Sequence, residues 1–307
     1  MSMKKLNVTF KGTTDKTGYL FSLAKCLAAA LRCSEMGDMA DDIIASSGFA
    51  FRMWIDSTQL CPSETSIWQF KKQKSWVENG GLRCEYIERL WGQDALEEER
   101  RLTAVDMIRR SIDRGVAAVS WDISGCEWGA VIGYDDESQT FATLKINGKE
   151  DTLSYDRLGR LDLPILSVLT VADKAEKSPE QLVSDTKQLA VTHLLGKEWC
   201  DNAKGLAAYD ALIDFIATKL SAETAWNLEY TLGTYGALKW YAWKFFEKYE
   251  KSDLAALYRT VYESWKAAFD LKRGQDVTLP SPREQLCTLL QTAKGAECRA
   301  CEIMANV

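Results

Sequence analysis

The sequence predicts an α+β fold, a mixed front portion followed by an all-helical remainder. Three observations carry that expectation. Between Val116 and Val171 lie four apolar or alternating runs of strand length, separated by turn residues. From Ser178 onward only helical periods occur, in five segments. Across 307 residues the chain is 46% hydrophobic and 27% charged, with 5 prolines, which is the composition of a folded globular protein and not of a disordered or fibrous one.

Taken in order, alternation over Leu6–Lys11 predicts a short strand, and the Leu- and Ala-rich run Tyr19–Arg32 a compact helix. A second helix is expected over Gly37–Ser46. The aromatic, alternating stretch Gly48–Asp56 suits a strand. Cys61-Pro-Ser-Glu-Thr65 reads as a turn that caps a helix over Ser66–Asn79, stopped by Gly80-Gly81. Leu82–Leu90 alternates again. Asp94–Arg114 is a long amphipathic helix, with Leu96, Leu102, Val105, Met107, Ile108 and Ile112 on its apolar face and Gly115 at its end. The strands Val116–Ile123, Glu127–Tyr134, Thr140–Ile146 and Pro164–Val171 are expected to form an antiparallel sheet with helices packed on it. The charged stretch Ala172–Pro179 marks a domain break, giving an α+β domain over 1–172 and a helical domain over 173–307. Helices are expected there over Ser178–Gly196, Ala203–Leu220, Glu223–Tyr249, Asp253–Arg273 and Pro282–Ile303. Aromatics at helical spacing in this half, among them Trp199, Tyr209, Tyr235 and Trp265, read as core in preference to a ligand cage.

The charge balance excludes some functions. Thirty-eight Lys and Arg against 44 Asp and Glu leave −6, with the two signs interspersed, so the basic face that nucleic-acid binding needs is missing. The run Glu97–Glu99, followed by Arg100 and Arg101, reads as a solvated helix face. No apolar stretch of signal or spanning length is present, so we expect a cytoplasmic protein with no membrane partner. Nine scattered cysteines, an odd number, read as reduced thiols. Cys298 and Cys301 form the lone CxxC, and with one histidine in the chain they make no zinc site, so neither a metal nor a cofactor is expected.

The segment Gly125-Cys126-Glu127-Trp128-Gly129-Ala130-Val131-Ile132-Gly133-Tyr134-Asp135, preceded by Ala117-Ala-Val-Ser-Trp121, resembles the two central strands of papain-like peptidases of the double-glycine type. In that family a His serves as general base at the head of the second strand, six residues before the glycine. Glu127 stands at that place here. The family's nucleophilic Cys starts a helix whose apolar tail matches Leu27–Leu31, which puts Ser22 at the nucleophile position and Cys26 one turn further in. The Gly48–Arg52 stretch and the helical second half extend the resemblance to the butirosin biosynthesis protein H family. That likeness implies a papain-like sheet with packed helices and, for its acyltransferase members, an acyl carrier protein as partner.

Both catalytic identities are therefore altered, and a conventional cysteine peptidase is not expected. A Cys–His pair works because imidazole takes and returns a proton near neutral pH. The lone histidine, His193, sits among apolar neighbours in the helical half and reads as a packed residue. Glu127 is either a decorative or paired carboxylate or a cleft residue. Arg52, isolated in an apolar run, needs an anion or a carboxylate, from a ligand, from Glu127 or from a structural pair. Tyr19, Trp54, Tyr134 and Asp135 complete the candidate ligand-binding set, Tyr134 and Asp135 with a turn role as the simpler alternative. Three readings follow: a catalytically altered protein that binds a small molecule or peptide; an acyltransferase or amidohydrolase using Ser22 or Cys26 with Glu127; and a partner-binding protein docking through its helical half. A homodimer is compatible with each.

Overall fold

The computed structural model describes residues 3–66, 69–197 and 200–306. In chain order the elements are β1 (Met3–Lys5), α1 (Ser22–Arg32), α2 (Asp42–Ser46), β2 (Trp54–Ile55), α3 (Lys71–Asn79), β3 (Leu82–Arg89), α4 (Glu97–Asp113), β4 (Ala118–Ser120), β5 (Gly129–Asp135), β6 (Thr140–Leu144), β7 (Glu150–Ser154) and β8 (Leu166–Lys174). There follow α5 (Pro179–Leu194), β9 (Ala203–Lys204), α6 (Ala207–Thr218), α7 (Ala225–Lys248), α8 (Ser252–Gly274) and α9 (Pro280–Ala305). This is an α+β protein with a helical C-terminal region. Trp199 and the 67–68 part of the expected third helix lie outside the described residues.

Several elements depart from expectation, and β9 (Ala203–Lys204) takes the start of the helix expected over Ala203–Leu220. The first strand covers Met3–Lys5 and not Leu6–Lys11, because after Leu6, whose N–H still bonds Ile132 O at 2.8 Å, the chain leaves the sheet. Only Trp54–Ile55 of the expected Gly48–Asp56 strand is extended. Upstream of it the amides of Phe51 and Arg52 both turn back to Gly48 O, at 3.0 and 3.1 Å, so the chain coils there. The edge strand β7 was not anticipated from the sequence, since Glu150, Asp151 and Thr152 are all exposed and lack an apolar face.

The chain divides into two compact units that do not follow the 172/173 boundary. The first comprises Met1–Thr13, Ser22–Ile43 and Trp68–Lys177, and the second Thr14–Phe21, Ile44–Ile67 and Ser178–Val307. Residue 172 falls inside β8, which stays paired with β3 as far as Lys174 opposite Leu82. The expected first domain is therefore too short at its end and includes two segments that belong to the helical unit.

In the first unit the sheet runs β3-β8-β4-β5-β6-β7, all pairs antiparallel, with β1 added on β5 beyond the end of β4. One face buries Ile87, Val131, Phe141 and Val168 with Ile108 and Ile112 of α4. Val119 and Ala130 alternate to the opposite face. They are fully buried too, and α1 packs on their strands.

The second unit is built on α7, α8 and α9, with α5 and α6 packed on α9. Its core includes Tyr209, Tyr235, Tyr258 and Trp265. Ser178 caps α5 by accepting from Gln181 N at 3.2 Å. The two early segments are built into this unit. Phe51 packs edge-on against Tyr258, ring centroids 5.3 Å apart, and Tyr235 hydroxyl donates to Trp54 O at 2.7 Å while accepting from Trp54 N at 2.9 Å.

Candidate functional site

Helix α1 presents Ser22 as its first residue. Almost every later residue is buried, and the small run Ala28-Ala29-Ala30 lets the helix lie close to the sheet. Arg32 in the last turn suits the negative end of the helix dipole and pairs with Asp41 at 2.5 Å.

Glu127 comes from the loop between β4 and β5, and that loop is held tightly. Asp122 and Cys126 both adopt left-handed backbone, φ 63° and 56°, a conformation that costs a non-glycine residue about 1–2 kcal/mol. Local hydrogen bonds offset this. Asp122 carboxylate accepts from Cys126 N at 2.6 Å and from Leu163 N at 2.9 Å, and Ser124 hydroxyl accepts from Ile146 N at 2.8 Å. Strain of this kind, over-determined by its surroundings, is common at functional sites.

The result is a direct hydrogen bond from Ser22 Oγ to Glu127 Oε2. The hydroxyl also accepts from Trp128 N at 3.3 Å. Ser22 is buried and Glu127 is half-buried. Trp128, whose N–H reaches the hydroxyl, belongs to an aromatic wall with Phe70 and Trp121, the three ring centroids 5.2 to 5.3 Å apart.

The other candidates take different places. Cys26 is fully enclosed, and burial pushes its thiol far above the ordinary range, so it is not a ready nucleophile. Cys126 is exposed, and burial and the carboxylates of Asp122, Asp162 and Glu127 raise its thiol as well. Tyr134 lies in the cluster under α4, its hydroxyl donating to Asp113 Oδ1 at 2.8 Å. Asp135 forms the β5–β6 turn, accepting from Glu137 N and Ser138 Oγ, both at 2.9 Å, and these bonds lower its carboxyl below the usual range.

Tyr19, Arg52 and Trp54 belong to the second unit. Tyr19 hydroxyl donates to Glu229 at 3.0 Å. Arg52 is buried, with its guanidinium 4.5 Å from the Trp54 ring centre and donating to Thr65 O at 2.6 Å. His193 is buried in the same unit against Gly48, where a Cβ would stand 2.5 Å from Nε2. That tight packing supports a structural role for it.

Sequence reasoning thus brought Ser22 and Glu127 together, and missed the aromatic wall and the Asp122 brace. The signal for the brace was available in Asp122-Ile-Ser-Gly125, a turn composition between two strands. Among the described residues no three His, Cys, Asp or Glu are grouped to hold a metal ion, and no helix is long and apolar enough to cross a membrane. No family model matches the chain, and no curated protein is significantly similar to it.

Proposed function

We propose that the first unit is a catalytically altered papain-like domain that binds a small molecule or peptide at Ser22 and Glu127, without cysteine-peptidase chemistry. The observation that carries this reading is the hydrogen bond between Ser22, at the start of α1, and Glu127, in the loop two residues before β5. Those are the two places where a papain-like peptidase sets its thiol and imidazole. The pair supplies a carboxylate acceptor beside a hydroxyl, with the Trp128 N–H bonded to that hydroxyl. Such an arrangement suits a ligand with an amine, amide or hydroxyl donor.

A second reading is supported by the same bond. A serine whose proton points at a carboxylate, at the N-terminal end of an 11-residue helix, has the outline of an acyl-transfer or amide-hydrolysis pair. Carboxylate is ordinarily a weaker base than imidazole, which favours binding over catalysis.

A thermal-shift screen of the wild type and Glu127→Gln against amines, peptides and acyl thioesters separates the two, with intact mass measured after each thioester. Stabilisation of the wild type alone, with no mass change, supports binding. An acyl adduct on Ser22 establishes the transfer reading. Equal response of both proteins to every compound refutes a role for Glu127.

A further inference from the structure

The second unit contains a carboxylate whose setting points to a conformational device, independent of the ligand reading. Between Asp56 and Ser66 the chain forms a strap, with a single turn of 3-10 helix over Pro62–Thr65. Glu64 in that turn is buried at 2% exposure, and among the described residues it makes no ion pair. One of its oxygens accepts from Thr231 Oγ1 of α7 at 2.9 Å, and the other from the strap's own Asp56 N. Glu64 thus fastens both ends of the strap to α7.

The strap is also under local tension. Leu60, fully buried, is held at φ 53°, a conformation an unfastened chain would leave. Its outer ties include Asn227 Nδ2 donating to Gln59 O and Lys219 Nζ to Ser57 O, each at 2.9 Å, and Arg52 Nη2 to Thr65 O at 2.6 Å.

We propose that the strap Asp56–Ser66 is a latch on α7 that is closed when Glu64 is neutral and loosened when Glu64 ionises. In the neutral form the Thr231 bond reverses, the acid donating its proton to Thr231 Oγ1 while still accepting from Asp56 N, so no charge is buried. Ionisation places an unpaired charge in that buried site, and opening the strap returns it to water.

Burial raises the Glu64 carboxyl to about 8, opposed by its hydrogen bonds to Asp56 and Thr231. With the folded value above the ordinary 4.5, the closed strap holds a proton that the open strap has released. Closure is therefore strongest below about pH 4.5, weakens as pH rises, and is weakest above about pH 8. The other charged or titratable groups on the strap or tied to it are Asp56, lowered further by its bonds to Thr58 and Cys61, Tyr235 of α7, which burial raises far above its usual range, and the basic side chains of Arg52 and Lys219. Cys61 is the remaining titratable side chain on the strap and is removed by Cys61→Ser.

The test is hydrogen exchange of backbone amides in full-length Cys61→Ser protein at about pH 5.5 and about pH 8.5, corrected for intrinsic exchange. Protection over residues 57–66 should fall at least about tenfold at the higher pH, while α7 amides remain protected. Added Glu64→Gln, which copies the neutral acid's donor and acceptor, should keep the strap protected at both. A strap indifferent to pH overturns the proposal, as does Glu64→Gln that is open at both values or follows pH as before.

Discussion

Lys239 is fully buried and is paired with a buried carboxylate. Its Nζ lies 2.6 Å from Glu297 Oε1, both residues at 0% exposure, and Tyr209 hydroxyl donates to the other oxygen at 2.7 Å while accepting from Trp265 Nε1 at 2.8 Å. Breaking such a pair from one side leaves an uncompensated buried charge. Lys239→Met should therefore lose about 3–5 kcal/mol in urea unfolding, and Lys239→Met with Glu297→Leu should lose less, because no ion is then left alone. Equal losses would show that side-chain packing, and not charge, decides the matter. Neither partner stands out in the sequence, since a lysine and a glutamate 58 positions apart in helical patterns read as surface residues. The opposite holds for Glu127. Its position at the head of an apolar strand was legible because a charge there contradicts its surroundings, whereas Trp128 beside it looked like ordinary core.

At the scale of elements, helices were read well and short extended segments poorly. The five helices of the second half match their expected spans to within about four residues, because each repeats its apolar face over several turns. The Gly48–Asp56 stretch misled because alternating aromatics report burial, not conformation, and there the backbone turns on Gly48. The segment before α1 shows how closely an irregular stretch can be specified. Thr17 Oγ1 donates to Gly233 O at 2.7 Å, and the Tyr19 ring rests where a side chain at Gly233 would be, 2.6 Å from its Cβ. Gly233→Ala, harmless to helix propensity, should accordingly destabilise the protein by about 1–3 kcal/mol through overpacking. Chemical denaturation checks this, and a neutral or stabilising result would show that Tyr19 moves aside freely.

For the whole molecule, the change of texture near 172–179 located the end of the sheet but concealed that earlier segments belong with the helices. Hydrophobic pattern says that Phe51 and Trp54 are buried without saying against what. A fragment spanning residues 173–307 would lack them, leaving Phe246, Tyr258 and Tyr235 without partners they have in the full chain. It should show no cooperative thermal transition by circular dichroism, although its helical sequence is complete. A sharp transition near that of the intact protein would mean the early segments are dispensable. The same discontinuity bears on how the protein is made. Trp54 waits for Tyr235, which leaves the ribosome 181 residues later. At about 5–20 residues per second that is roughly ten to forty seconds, during which a nascent chain carries Phe51 and Trp54 without these partners, a natural point of engagement for chaperones.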